Sequence, residues 1–331
     1  MKAPRRFLLP LVPLYWIGLR VKNGLFERGV QQLRSLGKPV ISIGSLSAGG
    51  AGKTPVVLML AELLHRHGIS VDVLSRGYGR RSNAVEQVDA EGTAERYGDE
   101  PIEMTRAGEQ VFVGADRFAA GALAESRSGV DVHLLDDGFQ HRRLRRDLEV
   151  VLLTRTDKKD SLLPAGDLRE PMRSLERADV VVLREEEAPE LQASVAAWTN
   201  AEVWIAKREL TLPGRQIRRP FVFCGIARPD DFLTMLRTVG CTPAGTMMLP
   251  DHHRYTHADI TRLVASARSA GADGFCTTAK DEVKITEKMR QQLESVGGVM
   301  VPRLRVSLLD EERAMRRLLQ VIRRTGRDVK K

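Results

Sequence analysis

The chain has 331 residues, 42% of them hydrophobic and 29% charged, and a formal net charge of +9. That balance suits one or two globular domains and excludes wholesale disorder or a disulfide-framed scaffold. The basic surplus points to an anionic partner: nucleic acid, an acidic membrane surface or a phosphorylated substrate. Cys224, Cys241 and Cys276 share no metal-ligand spacing and fit a reducing compartment.

Residues 1–38 carry eight Lys or Arg against one acid, Glu27, and frame the uncharged run "FLLPLVPLYWIGL", Phe7 to Leu19. Such a run falls short of the roughly 20 residues a spanning helix needs. Arg20, Val21 and Lys22 follow it with no small-residue cleavage site, which argues against a secretory signal. Two readings remain: an interfacial anchor with Tyr15 and Trp16 near the headgroups, or an amphipathic helix packed on the core.

Short Val/Ile/Leu runs then alternate with longer helical patterns. Residues 39–44, 71–75, 132–137, 149–153 and 179–183 read as buried strands. "TPVVLMLAELLHRHG" reads as a helix that stops at Gly68. The alternation predicts an α/β fold resembling the P-loop NTPases, a mostly parallel sheet with helices on both faces. The expected divisions are a basic, apolar segment 1–38, a main α/β domain 39–208, and a smaller α/β domain 209–331 that closes over the cleft. The last boundary rests on the turn-rich, basic stretch "TLPGRQIRR". The C-terminus reads as an amphipathic basic helix with a frayed end.

"SLSAGGAGKTP" (45–55) departs from the usual P-loop spacing, because Ser47 stands where the first Gly is expected. The working parts survive. Gly49, Gly50, Ala51 and Gly52 supply a tight turn with inward N–H groups, Lys53 reaches phosphate, and Thr54 is placed to hold Mg²⁺. Strand before and helix after are the context that makes such a loop a nucleotide site. "VHLLDDGFQH" then places Asp136 and Asp137 at a strand's C-terminal end, where a P-loop enzyme holds its metal.

Taken in order, "GGAGKTP", "SRGYGR" (75–80), "GDEP" (98–101), "DDGFQH" (136–141) and "LLPAGDLREP" (162–171) resemble the tetraacyldisaccharide 4'-kinases. "GIARPDDF", "DHHRYT" and "TTAKDEVK" match that family less strictly, and Ser45 stands where Asn is expected. The resemblance implies transfer of the ATP γ-phosphate, with Mg²⁺, to the 4'-hydroxyl of an acylated disaccharide 1-phosphate lipid. It implies a monomer at the anionic cytoplasmic face of a bacterial inner membrane, and it favours the anchor reading of the N-terminus. It makes Asp99 the catalytic carboxylate and sets Glu100 near the metal. His252, in preference to His253, pairs with Asp99 across a hinge. Arg76, Tyr78, Gln140, His141 and Arg169 are expected at the substrate, with Arg80 and Glu170 nearby. Lys280 or Asp281 is expected at the nucleotide base. The rivals are a P-loop ATPase or GTPase switch acting on a protein, and a nucleic-acid-binding NTPase. No aromatic-basic RNA platform or helix-turn-helix supports the latter, so no nucleic acid is expected.

Overall fold

The computed structural model describes residues 5–29, 32–127, 129–214 and 217–328. Its strands, in chain order, are β1 Val40–Ser45, β2 Val71–Ser75, β3 Glu86–Gln87, β4 Gln110–Val113, β5 Val132–Asp136, β6 Leu148–Leu152 and β7 Val180–Arg184. They continue with β8 Glu202–Thr211, β9 Pro220–Cys224, β10 Gly245–Met248, β11 Gly274–Cys276, β12 Val299–Met300 and β13 Arg303–Leu308. The first sheet has the order β13-β8-β7-β6-β1-β5-β2-β4-β3, and the second β10-β9-β11-β12. Pairing from β8 through β4 is parallel, with antiparallel β13 and β3 at the two edges.

The central strands are buried along their whole length. Continuous apolar runs rather than alternation follow from covering both faces. Ile41, Ile43, Val73 and Leu134 pack with Val57, Leu60 and Leu64 of the helix Lys53–Arg66. Val40, Leu74, Phe112 and Leu135 face Ala120 and Ala124 of the helix Arg117–Arg127 on the other side. A second core forms around Phe221, Phe223, Ile260, Leu263 and Phe275 in the smaller sheet. Each of the five strand runs expected from the sequence coincides with a strand to within a residue or two.

The expected division at residue 208 differs from the observed sheet membership. β8 runs through it to Thr211, and β13 returns to pair antiparallel with β8. The helix Glu311–Asp328 follows, and its Ala314, Met315, Leu318 and Val321 join the first core. The smaller domain is therefore inserted between β8 and β13. Turn composition in "TLPGRQIRR" marks the outgoing crossing, of which Arg215 and Gln216 lie outside the described residues. The return at Val301–Pro302 carries no comparable signal. The expected frayed end at 329–331 and residues 1–4, 30 and 31 of the N-terminal segment also lie outside the described residues.

A 3-10 turn Arg6–Leu11 leads into the helix Val12–Glu27. This helix is held on one side by polar contacts. Tyr15 Oη donates to the Arg169 carbonyl at 2.9 Å, Lys22 Nζ to the Gln140 carbonyl at 3.4 Å, and Arg5 pairs with Asp167. Several apolar side chains of the turn and the helix stay in the open, Phe7 at 80% exposure, Leu14 at 67% and Val21 at 60%, while Leu19, Leu25 and Phe26 are half-buried. Among the described residues no helix is long and apolar enough to cross a membrane.

Candidate active site

A cavity of 1340 Å³ lies between the domains at the C-terminal ends of the first sheet's strands, the ligand-binding end of such sheets. The loop Ala48–Thr54 lines it. Gly50 and Gly52 have φ of 73° and 86°, values that glycine reaches without a steric penalty, and they turn the chain into the helix starting at Lys53. Ser45 Oγ donates to the Ser47 carbonyl at 2.9 Å and lies 3.4 Å from Lys53 Nζ.

The two adjacent aspartates sit in different environments. Asp137 leaves the strand with φ of 51°. Arg169 grips both its oxygens, Nη1 to Oδ2 at 2.8 Å and Nη2 to Oδ1 at 2.7 Å, and Lys53 Nζ lies 3.4 Å from Oδ1. Burial opposes ionisation of Asp137, but Lys53 and Arg169 outweigh it and hold its carboxyl well below the usual range. Asp136 is buried on β5 and accepts from Ser75 Oγ at 3.0 Å. Its Oδ1 finds no hydrogen-bond partner among the described residues. Burial, then the charges of Glu100 and Asp137, push its carboxyl up to about 7. A buried carboxylate oxygen without a partner beside a P-loop fits a cation. No cluster of three metal-ligating residues occurs among the described residues. Mg²⁺ beside phosphates does not need one, since it keeps waters and takes one or two carboxylates.

From the opposite wall, His252 meets Asp99. The helix Asp99–Arg106 starts at Asp99, so Pro101 does not exclude Glu100 from it. Proline is tolerated in a first turn, where an N–H has no intrahelical partner. Gly98, with φ of 96°, sets the Asp99 turn against Gly77 and Tyr78, where a Cβ would come within 3.1 Å of their backbone. His252 Nδ1 lies 2.9 Å from Asp99 Oδ2, and the Tyr78 ring stands 5.3 Å from the imidazole. His253 turns away to Asp259 at 3.1 Å. Burial raises the Asp99 carboxyl, but the His252 hydrogen bond and Lys280 outweigh it, for a net lowering.

Lys280 lies in this cluster, 3.2 Å from Glu100 Oε1 and 3.2 Å from His252 Nε2. Asp281, by contrast, is buried and accepts from the Gly225 N–H at 3.0 Å and from Thr278. Arg76 and Arg169 line both this cavity and a neighbouring one of 510 Å³, which Gln140 and His141 also line. Arg80 turns away toward Glu86, and Glu170 toward Arg177.

Sequence reasoning passed over two arginines at the loop. Arg184, at the end of β7, donates to the Gly50 carbonyl at 3.2 Å and to Asp231 of the inserted domain at 2.8 Å. Arg228 lies over Gly50 and donates to Thr154 Oγ1 at 2.7 Å. Arg228 follows directly on "GIA", and that motif was the only available sign of its role.

The family described as Tetraacyldisaccharide-1-P 4'-kinase matches residues 4–323. The tetraacyldisaccharide 4'-kinase of Koribacter versatilis is 38% identical over 325 residues, covering 95% of this chain and 98% of the relative. That of Geobacter metallireducens is 39% identical over 317 residues, covering 89% and 92%. The solved structure of LpxK from Aquifex aeolicus in complex with ATP superposes with a TM-score of 0.76 at 31% identity, covering 96% of this chain and 99% of that one. With the same motifs gathered around one cavity, the chain belongs to the tetraacyldisaccharide 4'-kinase family.

Proposed function

We propose that this kinase transfers the γ-phosphate of ATP to the 4'-hydroxyl of an acylated disaccharide 1-phosphate at a membrane surface. The observation that carries the reading is that His252, which lines the same cavity as Lys53 and the phosphate loop, is paired with the buried Asp99, whose neighbour Glu100 lines it too. The loop's inward N–H groups and the start of the helix at Lys53 cradle the phosphates. Lys53, beside Asp137, offsets charge on the transferred group. Thr54 and Asp136 would hold Mg²⁺, which would supply neutralisation of phosphate charge. Asp137 orients Lys53 and Arg169 rather than meeting the metal directly, since both its oxygens are engaged by cations.

An alcohol is a weak nucleophile, and Asp99 accepts its proton late in the transfer. His252 holds the carboxylate in place through Oδ2. Arg76, Tyr78, Gln140, His141 and Arg169 border the cavities on the side where the sugar and its phosphate would lie. The exposed Leu14, Ile17 and Val21 of the helix Val12–Glu27 support a seat for it in the lipid headgroup region, and the Tyr15–Arg169 hydrogen bond would then bring the Arg169 loop near that surface.

The test uses ATP labelled in the γ-phosphate, Mg²⁺ and the disaccharide 1-phosphate lipid in mixed micelles. Label entering the lipid, and lost in folded Lys53→Ala and Asp99→Ala variants, is the expected result. Hydrolysis without lipid label would favour a nucleotide switch instead.

A further inference from the structure

We propose that Lys280 is a positioning residue that fixes the orientation and the ring proton of His252, so that Nδ1–H points at Asp99. The inference rests on the Asp99–His252 reading above and extends it to a third member.

The argument is one of donors and acceptors. An ammonium group has three donors and no acceptor. At 3.2 Å from His252 Nε2, Lys280 Nζ can bond only to a nitrogen lone pair. The single ring proton then sits on Nδ1, which lies 2.9 Å from Asp99 Oδ2 and donates to it. The opposite tautomer would set an N–H against the ammonium and a lone pair against the carboxylate, two repulsions in place of two hydrogen bonds. With Nδ1–H committed to Oδ2, Asp99 keeps Oδ1 to accept the substrate's proton.

The surroundings hold Lys280 in that role. Glu100 Oε1 lies at 3.2 Å and Asp251 Oδ1 at 3.8 Å. Glu103 on the Asp99 helix adds its field to Lys280, and Lys284 adds its own to Asp99. Burial works against the Lys280 charge, but Glu100, Asp251 and Asp99 outweigh it and raise the ammonium to about 12. The backbone is set as well. His252 has φ of 58°, and its N–H donates to the Gly225 carbonyl at 3.1 Å. The ring is thus presented from a turn of the inserted domain, while Asp99 and Glu100 belong to the first domain. Lys280 touches both sides and locks the pair only when they meet.

The experiment compares the full-length enzyme with Lys280→Met, Lys280→Gln and Lys280→Arg, each checked for thermal stability. Long-range proton–nitrogen correlation spectra of histidine-labelled protein report which ring nitrogen carries the proton, and a His252→Gln variant assigns the signal. The expected wild-type signal is Nδ1–H. Gln and Arg, which keep a donor, retain it. Met, which removes the donor, leaves Nδ1–H to Asp99 alone, so the Nε2 resonance loses its hydrogen-bond shift, and kcat falls roughly 10- to 100-fold with little change in the KM for ATP, less than the roughly 10²–10⁴-fold that a positioned base supplies in full. An Nε2–H ring in the wild type overturns the proposal, as does a folded Lys280→Met enzyme with kcat within twofold of wild type. If the wild type transfers no phosphate to lipid, the function reading fails while the spectra still decide the ring proton.

Discussion

The two walls of the cleft hold their charges in different ways. Around the phosphate loop the site charges are paired within the first domain: Asp137 with Arg169 and Lys53, Asp136 with Ser75. In the inserted domain they are paired across the gap: His252 with Asp99, Lys280 with Glu100, Asp231 with Arg184. A wall paired within itself is built whether or not the other arrives. A wall paired across the gap has its site completed only in contact. Substitutions in the first should cost structure and chemistry together, whereas those in the second should cost turnover at little cost in stability.

The largest expected effect is on the first wall. Lys53→Ala should lower lipid phosphorylation by about 10²–10³-fold or more, the size of losing one preorganised charge-stabilising donor. Labelled-lipid turnover at saturating ATP checks it. Asp99 belongs to a pair that crosses the gap, and Asp99→Asn keeps the shape and removes the proposed proton acceptor, so kcat should fall by about 10²-fold or more with the melting temperature nearly unchanged. A large loss of stability there would break the contrast.

Arg184→Ala tests the crossing itself. It removes donors from the Gly50 carbonyl and from Asp231, which keeps Arg208 at 3.6 Å and so is not left bare. The KM for ATP should rise roughly tenfold, as for loss of a charge-assisted hydrogen bond. A double-mutant cycle with Asp231→Ala should return a coupling of about 1 kcal/mol. Replacing Phe7, Leu14 and Val21 by Ser leaves both walls intact and removes exposed apolar surface alone. Sedimentation with anionic vesicles should fall while activity on a short-chain, micelle-free acceptor persists.

The smallest effect concerns pH. Burial and the neighbouring Arg117 and Arg146 lower the His141 imidazole to about 4. Between that value and the usual 6.5 the unfolded chain binds the extra proton, so stability falls as pH drops through this window. His133 has the opposite sign. Burial opposes its charge, but Asp72 at 2.6 Å and Glu125 outweigh it and raise its pKa. Its contribution is complete below about 6.5 and is lost as pH climbs through the raised value. Urea midpoints of His141→Gln from pH 4 to 7 should be flatter than wild type, and those of His133→Gln should lose stability preferentially at the acidic end.

This contrast also explains what the sequence disclosed. The first wall is written locally. β1, the glycine loop and its helix are contiguous, and Asp136 and Asp137 end a recognisable apolar strand. The second wall is assembled from turns far apart in the chain: Lys280 is expected only through the resemblance, at the nucleotide base, whereas it lies beside His252, and Arg184 of the facing wall has no local pattern that separates it from a solvated charge. β4 and β13 were missed for related reasons. β4 is four residues long, and β13, "RLRVSL", is a basic edge strand whose register is set only by β8. Pairing at that distance leaves no periodicity to read.

The return of β13 has a consequence for how the chain is made. As synthesis proceeds, β8 appears with a bare edge, and the inserted domain is complete before β13 and the Glu311–Asp328 helix emerge. Domains fold as units during synthesis. The cap over the nucleotide cleft can therefore be folded while the nucleotide domain still lacks the strand that seals its edge and the helix that covers Lys53–Arg66. A ribosome paused once residue 302 has cleared its exit tunnel would hold a finished inserted domain on an unfinished first domain, and chaperone contact should concentrate on β8 during that interval.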